Sequence, residues 1–243
     1  MISLAGPTRR DCRPKLDLDT YTPYRRTLYI DADSLVMRPL APLFTRLQSH
    51  DIAVIGKNVT SGHWYGDVAT MCRLAGSPSL PMFNGGLLYF ADTTPTHRVF
   101  AHARELADRY TTLGFDRFNG GIADEPLLAI ALAAERVHAQ DLTRSAMASL
   151  IGATGRLSID VLNGSCAFRK RGRLAAPSIV HFAADDSSRR PLLGAYYRRE
   201  CLTLALVHRL RLPQRLARLV AAGTYGLFCF LADQARSHQR PQP

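Results

Sequence analysis

No Cys-x-x-Cys pair joins any of the five cysteines, Cys12, Cys72, Cys166, Cys201 and Cys229, which are scattered and odd in number. That pattern argues against a zinc ribbon or a disulfide framework and makes a reducing compartment the expectation. Long apolar runs are missing too. The longest, residues 219–232, is broken by Gly223, Thr224 and Gly226 and falls short of the about 20 residues a membrane-spanning helix needs. Residues 1–14 carry arginines but no apolar stretch of signal-peptide length, so a cytoplasmic location is expected, with contact at the inner face of the membrane left open. Acidic residues are scarce beside basic ones, 20 against 31, which gives a net charge of +11. Such an excess favours anionic partners: a nucleotide diphosphate, a phospholipid surface or nucleic acid. Nucleic acid is the weakest of these, because no recognised motif accompanies the charge. A merely solvated basic surface is the plain alternative.

What is present is a globular composition, 47% hydrophobic over 243 residues, enough for one substantial core or two small ones. Residues 27–30 read as a buried strand that runs directly into Asp31 and Asp33, and ligands gather at such carboxyl ends of strands. Residues 40–47 read as a short helix introduced by prolines and 52–55 as the next buried strand. The stretch 56–81, rich in Gly, Ser, Thr and Pro and holding the only tryptophan, Trp64, reads as a long, partly ordered loop. Beyond it, 86–90 is a strand, 95–110 an amphipathic helix, 124–135 a helix with an acidic first turn, and 178–182 a short strand that includes His181. After Pro191 the pattern turns to arginine-studded apolar helices, 196–212 and 215–233, a basic amphipathic segment expected to pack on the main domain or lie on a membrane. The expected organisation is therefore a domain over 1–191 followed by a helical segment over 192–243.

Asp31 and Asp33, two residues apart at a strand end, can turn their carboxylates to the same side and offer oxygen ligands to one hard divalent cation. Two surface aspartates at a strand-to-loop turn would have the same spacing. Asn84-Gly85-Gly86 offers an amide with donor and acceptor beside backbone that a ligand can approach closely; it equally suits a tight turn before a strand. Asp124 and Glu125 open a helix, where an aspartate ordinarily serves as a cap. His181 follows an apolar pair, Ile179-Val180, and imidazole suits manganese acceptably beside carboxylates.

Taken in order, four blocks carry a resemblance. Lys15 with Pro23-Tyr24-Arg25-Arg26-Thr27-Leu28-Tyr29-Ile30-Asp31-Ala32-Asp33-Ser34-Leu35-Val36, then Phe83-Asn84-Gly85-Gly86-Leu87-Leu88-Tyr89-Phe90, then Asn119-Gly120-Gly121-Ile122-Ala123-Asp124-Glu125, and last Ile179-Val180-His181-Phe182, together resemble GT-A-fold glycosyltransferases, above all the family 8 and glycogenin-like group. The resemblance implies an α/β fold with a mixed sheet flanked by helices. It implies that Asp31, Asp33 and His181 hold Mn2+ or Mg2+ and that the Asp31-Ala32-Asp33 turn, Ala32 included, meets the donor diphosphate. It puts Lys15 near the donor, Asn84, Gly85 and Gly86 against the sugar, and Asp124 with Glu125 at the reacting centre. The implied reaction moves a sugar from a nucleoside diphosphate donor, a UDP-sugar for preference, to an acceptor hydroxyl, with retention.

The chain departs from that family in two places. The segment after His181 lacks the family's Lys-Pro-Trp, and Arg190 stands as the substitute for its diphosphate-binding lysine. Only thirty residues precede Asp31, where the family has a strand, helix and strand for the nucleotide base, so a domain lacking its N-terminal strands is expected. Two other functions remain open at this point: an inactive remnant that binds a membrane or partner through its basic segment, and a haloacid-dehalogenase-type phosphatase with Asp31 as nucleophile and Asp185-Asp186 as its later acidic pair.

Overall fold

The computed structural model describes residues 12–183 and 190–237, the side chains of 190–192 and of several residues near the end of the last helix excepted. In chain order the elements are a 3-10 turn Arg13–Asp17, α1 Leu18–Tyr21, β1 Arg26–Ile30, β2 Ser34–Val36, α2 Ala41–Leu47, β3 Ile52–Val59, α3 Val68–Ala75, β4 Leu80–Ala91 and α4 Thr94–Asp108. They continue with α5 Tyr110–Leu113, α6 Asp124–Ala134, β5 Met147–Ser149, β6 Ala153–Asp160, β7 Ser165–Lys170, β8 Arg173–Ala175, β9 Ile179–His181, α7 Arg190–His208 and α8 Gln214–Ser237. The class is mixed α/β. Three small sheets of three strands each are present among the described residues, in the orders β1-β4-β3, β2-β9-β5 and β6-β7-β8. Of these only β2-β9-β5 is mixed, with β9 antiparallel to β2 and parallel to β5.

The chain divides into two units, residues 1–30 with 44–141 and residues 31–43 with 142–243. The expected boundary at 191 is not where this division falls: α7 and α8 belong to the second unit.

In the first unit, β4 is the central strand because nearly every one of its side chains is apolar and has a neighbour on each side. Leu87, Leu88, Tyr89 and Phe90 are all at most 2% exposed, and burying a large apolar side chain contributes about 1.5–3 kcal/mol. β1 and β3 flank it antiparallel, with Ile30 opposite Leu87 and Ile52 opposite Phe90. β3 carries a bulge between Val54 and Gly56, where a side chain would run into the Met82 carbonyl. α6 is apolar all round and buried from Pro126 to Ala133, as a helix enclosed by its unit must be.

The stretch expected as a long loop is largely ordered. β3 runs on to Val59, and α3 then buries Val68, Met71, Cys72 and Ala75, the i, i+3, i+4, i+7 spacing of one helix face. The Asp67 carboxylate accepts from the Thr70 backbone N–H at 2.8 Å, and Gly76 closes the helix in the left-handed region at φ 60°, a cap at each end.

In the second unit, β6, β7 and β8 form a meander. Its last turn, Arg171-Gly172, has φ of 50° and 77° at its two positions, the positive pair a tight two-residue hairpin turn requires. At Gly164 a side chain would clash with the Met37 carbonyl, the nearest atom at 2.6 Å, so this residue allows the β6-β7 turn to close on the chain leaving β2. The unit's core gathers Leu35, Met37, Leu157, Phe168, Val180, Phe182, Leu193, Tyr196 and Cys229. α8 is tied to β6 by Arg218, which donates to both Asp160 carboxylate oxygens at 2.8 and 3.0 Å.

Candidate metal centre

Strand pairing in the second unit brings the distant residues together. β2 and β9 are antiparallel with Ser34 opposite His181, and the Phe182 N–H donates to the Asp33 carbonyl at 2.9 Å. The turn ahead of β2 is closed by Ser34 N–H donating to the Asp31 carbonyl at 3.1 Å. His181 is thereby fixed beside that turn although it lies far along the chain. Its Nε2 is 3.0 Å from Asp33 Oδ1 and 3.6 Å from Asp31 Oδ2. One ligand atom from each of the three residues lies within 4.8 Å of the others.

Such a group could hold a metal ion: two carboxylate oxygens and an imidazole nitrogen converge from two strands and are donors a divalent cation accepts. Exposure is graded across the three. The His181 side chain is 6% exposed, Asp31 17% and Asp33 55%, so the histidine side is sealed and the Asp33 side open to a further ligand.

A fourth residue secures the turn. The Tyr197 hydroxyl of α7 donates to the Ala32 carbonyl at 2.6 Å, and its ring meets Phe182 edge-on with centroids 5.4 Å apart. Burial, then Cys201 beside it and the Asp33 carboxylate, push the Tyr197 phenol up to about 12, so it remains a donor at ordinary pH. Nothing near Tyr197 in the sequence announced this, because the contact reaches across 165 positions. Sequence reasoning also missed Ser149, which pairs with His181 in β5 and accepts from the Lys170 ammonium through both its hydroxyl and its carbonyl at 2.8 Å.

The other expected site residues, Ala32 and Arg190 excepted, cluster within the first unit. Glu125 Oε1 accepts from the Gly85 N–H at 2.7 Å and from the Asn84 amide at 3.3 Å, while Asn84 Oδ1 accepts from the Gly86 N–H at 3.2 Å. The start of α6 is thus bound to β4 by its own acidic turn. Gly85 has a packing reason to be glycine: an added Cβ would lie 2.8 Å from Asp124 Oδ2. Lys15 reaches the same point. Its ammonium donates to the Gly85 carbonyl at 3.3 Å, stands 3.7 Å from Asp124 Oδ2 and lies 5.6 Å from the centre of the Tyr29 ring.

Asp124 is 4% exposed, and the charges around it follow. Burial first and the Asp124 charge next push the Cys12 thiol up to about 12; burial, then Glu125 and Asp124, raise the Tyr65 phenol well above its ordinary range. Both groups are held neutral beside the carboxylates. Arg190 begins α7, but its side chain lies outside the described residues, as do Asp185 and Asp186.

No family model, curated protein or solved structure matches the chain.

Proposed function

We propose that this protein is a metal-dependent glycosyltransferase of GT-A type, which moves a sugar from a nucleoside diphosphate donor, a UDP-sugar for preference, to an acceptor hydroxyl. The observation that carries the reading is the convergence of Asp31 and Asp33 with His181, far along the chain from both and expected with them in that role from the sequence, to within 4.8 Å of one another. A chance pair of turn aspartates has no need of a buried imidazole 3.0 Å away. Nor does a nucleophilic aspartate, which disfavours the phosphatase alternative.

Asp31, Asp33 and His181 would hold the cation, Mn2+ or Mg2+ by resemblance. When bound, it neutralises the charge that grows on the departing diphosphate. Tyr197 holds the Ala32 carbonyl and so steadies the turn that carries the two aspartates. Asp33, with its side chain 55% exposed, leaves one side of the group open, where a donor diphosphate would approach. The roles of Lys15, Asn84, Gly85, Gly86, Asp124 and Glu125 toward the donor sugar are carried over from the resemblance. Their mutual contacts in the first unit favour them as one working group, with Glu125 chiefly a support for the Asn84-Gly85 backbone. Arg190 is retained as the diphosphate-binding substitute on the same basis.

The test is donor hydrolysis. With manganese present, the protein should release UDP from a UDP-hexose, and the Asp33→Ala variant should lose that release. Activity retained in Asp33→Ala, or unchanged by a chelator, would sink the metal assignment.

A further inference from the structure

α8 is apolar on two opposite sides, and only one of them is used. Ala217, Ala221 and Cys229 are buried along one line with Tyr225 half-buried among them, a four-residue spacing that follows one helix face. The large side chains fall on the other side. Leu216, Leu219, Val220, Leu227, Phe230 and Leu231 recur at three- and four-residue steps and are 42% to 70% exposed. The inward face thus has mostly small residues, while leucine and phenylalanine face out. That inverts the usual amphipathic order, in which the apolar stripe faces the core, and an exposed apolar stripe of this kind marks a surface that meets something.

Charge says what it meets. From residue 201 to residue 232 there is no aspartate or glutamate. Arg209 and Arg211, just before α8, and Arg215, in its first turn, are exposed, as is Leu210. A second copy of the chain would bring arginines to the stripe and no carboxylate from this stretch to meet them. An anionic lipid surface supplies both the apolar layer and the opposite charge. No helix among the described residues is long and apolar enough to cross a membrane, so the mode is lateral: the 24 residues of α8, about 36 Å long, lie along the interface.

We infer that the outward face of α8, with Arg209, Arg211 and Arg215, is a docking surface for an anionic phospholipid bilayer. This inference shares no residue with the metal centre, so either can fail without the other.

The experiment is co-sedimentation of the full chain with vesicles of mixed phosphatidylglycerol and phosphatidylcholine, and with phosphatidylcholine alone. The protein should pellet with the anionic vesicles and far less with the neutral ones. Replacing Arg209, Arg211 and Arg215 by glutamine should weaken partitioning about fivefold for each arginine removed. The double variant Leu219→Glu with Leu227→Glu, both residues exposed, should stay in the supernatant with an unchanged circular dichroism spectrum. Failure to pellet with anionic vesicles, equal pelleting with neutral ones, or undiminished binding by the arginine variant would each overturn the inference. A dimer in sedimentation equilibrium that the leucine variant dissolves would assign the stripe to a second copy of the chain instead.

Discussion

Tyr197 holds Ala32 from 165 positions away, its hydroxyl donating to the carbonyl between the two aspartates at 2.6 Å. The bond touches none of the three side chains that could hold a cation, yet it fixes the backbone that spaces Asp31 from Asp33. Groups of this kind around a metal site typically change affinity by about ten- to a hundredfold when removed. Tyr197→Phe keeps the ring against Phe182 and removes only the hydroxyl. It should weaken manganese binding about tenfold in calorimetry, with no change in the far-ultraviolet spectrum. An unaltered affinity would mean that the hydroxyl does not position the turn.

Cation binding should also be visible as stability. A ligand at about a hundredfold its dissociation constant stabilises the folded state by about 2.7 kcal/mol, so manganese should raise the melting temperature and a chelator reverse the rise. In His181→Ala, which leaves both aspartates in place, the metal-dependent shift should shrink or vanish. A full shift in that variant would remove the histidine from the ligand set.

Gly85 offers a test of the other cluster. A methyl group there would press on Asp124 Oδ2 at 2.8 Å and on Glu125 Cγ at 3.4 Å, and overpacking of this sort costs about 1–3 kcal/mol. Gly85→Ala should therefore lower the urea midpoint, and combining it with Asp124→Ala should cost less than the two single losses added together. Simple additivity would show that Asp124 does not crowd position 85.

His97 gives the first unit a pH-dependent anchor. Its Nδ1 is 3.0 Å from Asp19 Oδ2 and its Nε2 is 2.9 Å from Asp92 Oδ1. The bond to Asp19 first, and that to Asp92 next, raise its pKa above the ordinary imidazole value. A raised pKa means that the folded state holds the proton more tightly than the unfolded chain. The contribution is complete below the ordinary value and fades as pH rises through the raised one. His97→Gln should thus lower the melting temperature more at about pH 5.5 than at about pH 9. A deficit that grows with pH would contradict the sign.

The sequence was most readable where period and burial agree. β1, α4 and α6 lie where a short apolar run, a proline-led amphipathic pattern and an acidic first turn predict them, although β1 is half-buried and not the buried strand expected. The expected grouping of Asp31, Asp33 and His181 rested on block order, and the antiparallel pairing of Ser34 with His181 brings the three together. α3 was hidden by the glycines, serines and prolines around it, although its Asp67 and Gly76 caps stand in the sequence. β5 and β8 are only three residues long, and β6, β7 and β8 each carry an exposed arginine, so their alternation is weak over any window. Glu125 shows the opposite difficulty: a residue expected to face substrate spends its carboxylate on the Gly85 backbone, which no local pattern could reveal.

The path of the chain has a consequence for synthesis. Residues 31–43 are made early, while the first unit is still incomplete, yet their strand partner β9 is made long after. A polypeptide that stops between residues 33 and 180 therefore carries both aspartates and lacks the imidazole of His181. Cation capture by the proposed site would then distinguish finished chains from nascent or prematurely terminated ones, and no dissection of the gene at residue 141 could leave Asp31, Asp33 and His181 on a single fragment.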